Sequence, residues 1–439
     1  MEVHVEATGT LTRRLHVKLP PEQLQAEFEV RVKRMAQSAR IPGFRPGKAP
    51  LNVVRRQFGD SLRLDAVSEL IRRSYPQALE QAKVQPAGTP DIEVDSETPG
   101  QPFAYTASFD VLPEVRLEHL DQMDLHKPVV EITAADVDRL LDSLRKARRD
   151  WQQIARPAQQ GDRVRIDFES RIDGHSVDGG QGQGVEVELG GGQFLPDLEQ
   201  SLLGRAAGEQ FEVDVRFPDD YRRQDMRGKR ARFAVKVHAV EQPLLPAIDS
   251  AFLQAHGVDP AGGEAALREK CRQTLAAEAD KATRNRLRQQ VLEQLLARHP
   301  LEVPPSQVET DVVRLREEAA VRMNLGKLKP ERKAQLLPAE LFESRAKQRV
   351  ALGLLIGEVI KTRAIELDQA RVDAALEALA ADYENPDEVR AYYRAHPELM
   401  RGLAAGVLED QVVESLQAQA RISETPMSLE ELLNPAASA

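Results

Sequence analysis

The sequence predicts a multidomain α+β protein, because three regions of the 439-residue chain carry three different hydrophobic patterns. Strands and helices are segregated in the first region, short alternating runs fill the middle, and the chain from about residue 246 onward has helical periodicity. A chain of this length is expected to form about three domains, at roughly 150 residues each. We therefore expect an N-terminal α+β domain (1–113), a helical connector (114–155), a compact β-rich domain (156–243) and an elongated all-α C-terminal domain (244–439).

The first hydrophobic pattern has a period of two residues. Val3 and Val5 alternate with charged residues, and Leu15, Val17 and Leu19 continue the alternation after a Thr-Gly-Thr turn, which predicts a hairpin. A helix then begins at paired prolines, where a missing N–H is harmless, and carries an apolar stripe of Leu24, Phe28, Val32 and Met35. We expect two further helices at about 51–58 and 60–82, and then two strands in DIEVD and FAYTASFDVLP.

The next two regions differ sharply in pattern. Residues 114–155 are charged and predict mostly helix, as a connector. Between residues 160 and 242, four alternating runs surround one short helical piece, LPDLEQSLLG, which predicts a small antiparallel sheet wrapped on one helix.

The C-terminal region predicts helices at about 263–298, 305–324, 338–363, 369–383 and 397–419. The first of them has a thin, Ala-rich apolar stripe, and helices of this kind suit an extended, arm-like domain better than a tight globule. Residues 321–342 place Met323, Leu325, Leu328, Leu336 and Leu337 among cations. Dispersed apolar side chains of this kind would bind unfolded chains weakly at many points, although an ordinary helix–loop–helix core explains them as well.

Composition excludes several classes of protein. The net charge of −10 argues against general coating of nucleic acid, so no DNA partner is expected and any RNA contact needs a local basic patch. The N-terminus lacks the apolar core of a signal peptide, and the longest apolar run (350–360) is too short to span a bilayer. These features predict a cytoplasmic protein without a membrane partner.

Cofactor and metal chemistry is not expected. The single cysteine, Cys271, lies on a helical stripe with Leu267 and Leu275 and is expected to be buried. The nine histidines show no paired metal-binding spacing, and the glycine clusters at 179–184 and 190–192 fit no phosphate-binding pattern.

The segment IPGFRPGKAP, residues 41–50, is a Gly- and Pro-rich loop with an aromatic residue between cations. From Val30 to Gly59 the chain has eight Arg and Lys residues and no acidic residue. A stiffened loop loses little entropy on docking, and an aromatic beside Arg is the composition of an interface hot spot. The alternative is a solvated basic face with Phe44 tucked into its own domain.

The motif GFRPGKAP resembles the signature loop of the trigger factor family, the bacterial ribosome-associated chaperones, and Gly43, Phe44, Arg45, Gly47 and Pro50 match it. C-terminal segments also resemble that family. The resemblance implies docking on the large ribosomal subunit near the exit tunnel, on a ribosomal protein and rRNA, and a homodimer when free. It also implies roles in secretion and cell division. The ribosome-binding residues that it implies are Gly43, Phe44, Arg45, Pro46, Gly47 and Lys48, with Pro46 standing where the family often has Lys.

The β-rich region resembles FKBP-type peptidyl-prolyl isomerases. The resemblance implies a pocket formed by Phe168, Val177, Asp178, Phe194, Leu195, Leu198, Tyr221 and Phe233. Val177 and Leu198 replace aromatic residues usual in the family, which implies weak activity on short peptides. Asp178 is expected to be a hydrogen-bond partner and not a general base, because isomerisation of an amide needs no proton transfer.

Together these features predict an ATP-independent chaperone that docks on ribosomes, binds nascent chains and isomerises X-Pro bonds. Two alternatives stay open at this point. One is a stand-alone isomerase whose helices recruit substrate, and the other is an interaction module with a catalytically dead isomerase fold.

Overall fold

A computed structural model describes residues 1–38, 44, 50–98, 100–172, 175–219, 221, 223 and 226–434, with the backbone alone for 176–179. The chain divides into two compact units, each built from separate segments. Unit 1 comprises residues 1–127 and 285–424, and unit 2 comprises 128–284 and the chain from 425 onward.

The N-terminal part of unit 1 is a four-stranded antiparallel sheet covered by two helices. Its strands are β1 (Glu2–Ala7), β2 (Thr12–Leu19), β3 (Asp91–Ser96) and β4 (Phe103–Asp110), in the order β1-β2-β4-β3. The helices α1 (Pro21–Ser38) and α2 (Leu51–Ala82) lie between the two hairpins in sequence. The predicted alternation is confirmed, since Leu15, Val17 and Leu19 are buried with Phe103 and Tyr105 in one core.

One prediction about this part is wrong. We expected Gly59 to separate two helices, but α2 is one helix of 32 residues. Glycine in a helix interior costs about 1 kcal/mol, which tertiary packing readily offsets. Here Val54 and Leu62, on either side of Gly59, are both buried against α1 in the same small core.

The segment 114–155 contains less helix than we predicted. It holds a 3-10 turn (Leu120–Gln122), β5 (Asp124–Val129), one α-helix, α3 (Ala134–Ala147), and β6 (Asp150–Ile154). β6 pairs with the last strand of the β-rich region, from Val240↔Ile154 to Leu244↔Asp150. The charged and amide side chains of β6 do not form an alternating pattern that would predict a strand. The strand is stabilised mainly by backbone pairing with its neighbour.

The β-rich part of unit 2 is an antiparallel sheet with one helix packed against it. Its further elements are β7 (Arg163–Ile172), β8 (His175–Glu188), α4 (Pro196–Leu202), β9 (Gln210–Arg216) and β10 (Arg230–Leu244). The strand order is β6-β10-β7-β8, and β9 pairs with β10 beyond the end of β6. This arrangement confirms the predicted sheet folded over a short helix.

The rest of unit 2 is a helical cluster of α3, α5 (Ser250–Ala255), the first part of α6 (Gly263–Arg298) and α13 (Leu429–Leu433). Leu267, Cys271 and Leu275 of α6 are buried in its core, as predicted. Burial also raises the pKa of the Cys271 thiol, which disfavours the reactive thiolate.

The helical part of unit 1 contains the predicted helices and several elements that we missed. Its helices are the end of α6, α7 (Pro305–Arg322), α8 (Pro330–Leu336), α9 (Glu340–Arg363), α10 (Gln369–Ala381), α11 (Pro386–Ala395) and α12 (Pro397–Gln417). The segment between α12 and α13 is not helical: β11 (Arg421–Pro426) pairs with β5. α8, α11 and β11 are each ten residues or shorter, too short for periodicity to reveal.

None of the helices in the described part of the chain is long and apolar enough to cross a bilayer. Within the same residues, no group of three or more His, Cys, Asp or Glu side chains is arranged to hold a metal ion.

Candidate functional site

A cavity of about 550 Å³ opens between the sheet of unit 2 and helix α4. Its walls come from four places: strands β7, β8 and β10, the loop before α4, α4 itself, and described residues between Phe217 and Met226. The residues that line it are Phe168, Ser170, Gly180, Gln193, Phe194, Leu195, Leu198, Phe217, Tyr221, Arg223, Met226 and Phe233.

Four aromatic rings form a continuous wall of this cavity. The ring centroids of Phe168 and Phe233 are 5.7 Å apart, those of Phe233 and Phe217 are 6.4 Å apart, and those of Phe217 and Tyr221 are 4.7 Å apart. All three pairs are tilted by 42–55°, which is a favourable arrangement for aromatic pairs. Alternation along β7 and β10 points Phe168 and Phe233 to the same face of the sheet.

The loop before α4 is held by a carboxylate. Glu199, in α4, is mostly buried, and its two carboxylate oxygens accept hydrogen bonds from the backbone N–H groups of Gly190 and Phe194, each at 3.1 Å. The loop between those two amides contains three glycines and would otherwise be loose. Glu199 therefore fixes the backbone that carries Phe194 and Leu195, while Leu198 lies fully buried at the cavity floor.

The opposite wall is fixed by close backbone approach. The buried hydroxyl of Ser170 donates to the carbonyl oxygen of Gly180 at 2.9 Å, which ties β7 to β8. At Gly182, a Cβ atom would lie 2.6 Å from Cε1 of Phe168 and 2.7 Å from a methyl group of Val185. Only glycine leaves room for the Phe168 ring in its present position.

The described lining of the cavity contains no carboxylate. Asp167, the neighbour of Phe168 in β7, points to the other face of the sheet and lies 2.6 Å from the His238 imidazole. The hydrogen bond from the N–H of Gly184 to Asp167, together with His238, lowers the pKa of that carboxyl. Asp197 is also occupied elsewhere, accepting from the N–H of Arg216 at 3.1 Å.

The cavity brings together most of the predicted pocket. Phe168, Phe194, Leu195, Leu198, Tyr221 and Phe233 all line it. The side chains of the other two predicted residues, Val177 and Asp178, lie outside the described part of the structure.

Sequence reasoning missed Ser170, Gly180, Gln193, Phe217, Arg223 and Met226. Phe217 could have been found, because Val213, Val215 and Phe217 continue one alternation. Met226 lies in a segment without periodicity and could not.

Such a cavity is chemically suited to one kind of reaction. Rotation about an amide bond has a barrier of about 18–20 kcal/mol, which arises from partial double-bond character. Moving the amide from water to an apolar wall removes hydrogen bonds that favour the planar, charge-separated form. A proline residue bound among these rings would thus isomerise faster without acid, base or metal.

A second candidate surface lies in unit 1, around Phe44. The Phe44 side chain is 41% exposed, so it is not sealed in its own domain. The other predicted docking residues, Gly43, Arg45, Pro46, Gly47 and Lys48, lie outside the described residues.

Exposed apolar side chains also occur at intervals between the end of α7 and the start of α9. Val321, Met323, Leu328, Leu336 and Leu341 are all exposed. We had expected Leu337 to be exposed with them, but it is buried. Its carbonyl oxygen accepts from the Arg316 guanidinium at 3.0 Å, which holds the end of α8 against α7.

Comparison with known proteins places the chain in a family. Residues 1–144 match the family model "Bacterial trigger factor protein (TF)", and residues 265–418 match "Bacterial trigger factor protein (TF) C-terminus". The trigger factor of Thioalkalivibrio sulfidiphilus is 40% identical over 435 residues, which cover 99% of this chain and 98% of that protein. The chain belongs to the trigger factor family. The trigger factor of Alkalilimnicola ehrlichii is also 40% identical, over 99% of this chain and 96% of its own.

The cavity lies in the part of the chain that matches a second family. Residues 155–238 match the model "FKBP-type peptidyl-prolyl cis-trans isomerase". The resemblance inferred from the sequence is thereby confirmed, as is the mixed architecture with an FKBP-like strand domain and a helical C-terminal region. A solved structure entitled "Promiscuous Substrate Recognition in Folding and Assembly Activities of the Trigger Factor Chaperone" aligns over 95% of this chain and 99% of its own, with 20% identity and a TM-score of 0.48.

Proposed function

We propose that this trigger factor family chaperone works without ATP in the cytoplasm, binds nascent polypeptides at the ribosomal exit tunnel and catalyses cis–trans isomerisation of X-Pro bonds. The cavity of unit 2 carries the catalytic part of the proposal, because six residues that the sequence predicted converge there around an apolar space. We assign binding of the proline ring to Phe168, Phe233 and Tyr221, with Leu198 as the floor.

The catalytic part is tested with a client whose refolding is limited by proline isomerisation, which takes tens of seconds without a catalyst. Tyr221→Ala or Phe233→Ala should slow the catalysed phase toward the uncatalysed rate, since each removes apolar wall. Tyr383→Ala, which changes an exposed tyrosine in unit 1, is the control and should leave the rate unchanged. Cavity variants as active as the native protein would favour a module that binds clients without catalysing isomerisation.

Exposure of the Phe44 ring supports the docking part of the proposal. Gly43, Phe44, Arg45, Pro46, Gly47 and Lys48 are the residues we assign to contact with a ribosomal protein and rRNA on the large subunit. The measurement is co-sedimentation with ribosomes, which should fall on Phe44→Ala/Arg45→Ala.

The exposed side chains of α7 to α9 support a role in client binding. Val321, Met323 and Leu341 offer dispersed apolar contacts, each weak, whose combination suits unfolded chains of many sequences. Replacing the three by Ser should weaken suppression of client aggregation while leaving isomerisation of a short peptide intact. Equal suppression by the variant would place client binding elsewhere.

We assign docking to residues 1–113, isomerisation to 156–243 and client binding to 244–439, with 114–155 as the connector. The resemblance to trigger factors supports a homodimer when the chain is not bound to the ribosome. It also supports roles in secretion and cell division, which would follow from binding many clients. Sedimentation of the purified chain tests the dimer, and a monomer across the micromolar range would exclude it.

A further inference from the structure

One face of α1 is turned away from the rest of its domain. The buried residues Leu24 and Val32, with the partly buried Phe28, define the inner stripe of the helix. With 3.6 residues per turn, the opposite face carries Gln23, Ala26, Val30, Lys33, Arg34 and Gln37. All six of these residues are exposed, and none is acidic. We call this the outer face of α1.

The cations of this region are of two kinds. Arg31 lies 2.6 Å from the Glu27 carboxylate and 3.8 Å from that of Glu69, and Arg55 lies 2.6 Å from that of Glu29. These arginines are neutralised within the domain. On α1, Lys33 and Arg34 form no ion pair with any described residue, and both lie on the outer face.

The first half of the outer face has no charged side chain. It carries only Gln23, Ala26 and Val30. Val30 is 57% exposed, at a position where a solvated helix would ordinarily carry a polar residue. Small side chains beside two cations let a bulky anionic surface approach the helix closely. Charge adds to this fit. Although the chain has a net charge of −10, the outer face carries two cations and no carboxylate.

We propose that the outer face of α1 binds RNA phosphate groups through Lys33 and Arg34. This inference rests on the proposed ribosome docking and extends its footprint along the helix. The two surfaces are close along the chain, since α1 ends at Ser38 and six residues of chain span at most about 20 Å to Phe44. RNA fits better than a protein partner because phosphates are closely spaced anions that need cations and no matching donors or apolar pockets.

The experiment measures affinity for purified large ribosomal subunits between about 50 and 200 mM salt. The test variant is Lys33→Gln/Arg34→Gln. The control is Arg14→Gln/Lys18→Gln, which removes the same charge from exposed positions on β2 of the same domain. Thermal melting of each variant shows that folding is retained.

Each phosphate contact contributes about 0.7–0.9 to the slope of log affinity against log salt. The test variant should therefore have a slope shallower by about 1.6, so that its loss of affinity is about tenfold larger at 50 than at 200 mM salt. The control should keep the native slope. Equal slope changes in both variants would show a general charge effect and overturn the proposal.

Two other outcomes are equally decisive. A test variant with weaker binding but the native slope would mean that the outer face contacts protein and not RNA. A test variant with native affinity and native slope would show that the face is unused. If the docking proposal itself fails, the native chain and Phe44→Ala/Arg45→Ala will pellet with ribosomes to the same extent, which distinguishes that failure from both outcomes.

Discussion

Gly182 lies against the ring of Phe168 and leaves no space for a side chain. A Cβ atom there would approach Phe168 and Val185 closer than real Cβ contacts do. We expect Gly182→Ala to push the Phe168 ring into the cavity and to lower catalysis of proline-limited refolding several-fold. The measurement is the catalysed refolding rate at several client concentrations.

Coupling with Phe168 provides the control for this prediction. Phe168→Leu shortens the side chain, so adding Gly182→Ala to Phe168→Leu should cost much less than Gly182→Ala alone. Neighbouring residues that act through one contact show such non-additivity. Strictly additive losses would show that Gly182 acts through the fold of β8 and not through the Phe168 ring.

Single residues were predictable where chemistry or alternation constrains them. Leu198 was placed in the pocket by the resemblance to FKBP-type isomerases, although it is not the aromatic residue usual there, and it lines the cavity. Glu199 was missed, since nothing in the sequence tells that a carboxylate in a short helix will bind two backbone amides of the preceding loop.

At the scale of elements, α3 begins with a capping box. The Thr133 hydroxyl accepts from the N–H of Asp136 at 3.3 Å, and the Asp136 carboxylate accepts from the N–H of Thr133 at 2.8 Å. Thr133→Ala should destabilise unit 2 by about 1 kcal/mol. Urea denaturation followed by fluorescence of Trp151, the single tryptophan, measures the change.

This effect should depend on pH. The hydrogen bonds from Thr133 lower the pKa of Asp136 below its ordinary value of 3.8 in the folded state. The stabilisation is complete above that value and is lost as pH falls through the lower, folded pKa. The difference in the free energy of unfolding between the native protein and Thr133→Ala should therefore become smaller below about pH 4. Ser143→Ala, which removes only a hydroxyl bonded to the carbonyl of Arg139, should show no such narrowing.

Helix α7 depends on a distant residue for its N-terminus. Pro304 at its N-cap offers no side-chain hydrogen bond, and the buried carboxylate of Asp110, at the end of β4, accepts from the N–H of Ser306 at 2.8 Å. Asp110→Ala should destabilise unit 1 by about 1–2 kcal/mol and speed hydrogen exchange at the first amides of α7.

Thr12→Val is the matched control at this site. It removes a hydroxyl that donates to Asp110 at 3.1 Å but leaves the carboxylate on Ser306. Exchange at the start of α7 should then stay close to native. Unchanged exchange in Asp110→Ala would contradict the capping role.

Long elements with a strong period were predictable, and elements held by partners were not. α6 was predicted with its observed bounds because its stripe of Leu and Ala runs through the whole helix. We predicted two helices separated at Gly59 where the structure has only α2, because local helix propensity contains no information about the burial of Val54 and Leu62. β6 and β11 form through pairing with strands far along the chain, which no local pattern reveals.

For the whole molecule, the two candidate surfaces call for different chemistry and lie in different units. The cavity of unit 2 is lined mainly by apolar and aromatic side chains, and the client that we propose for it is a proline-containing chain. Phe44 and the outer face of α1 belong to unit 1 and combine an exposed ring with cations that lack internal partners among the described residues. Our proposal is that unit 2 isomerises clients while unit 1 docks on the ribosome.

Co-sedimentation with ribosomes tests that claim most directly. The native chain should pellet with ribosomes, and Phe44→Ala/Arg45→Ala should stay in the supernatant while it melts at the native temperature and keeps its isomerase rate. That pattern would separate anchoring from catalysis in one molecule. A double variant that pellets as well as the native chain would contradict the account, because Phe44 and Arg45 would then have no part in binding the ribosome.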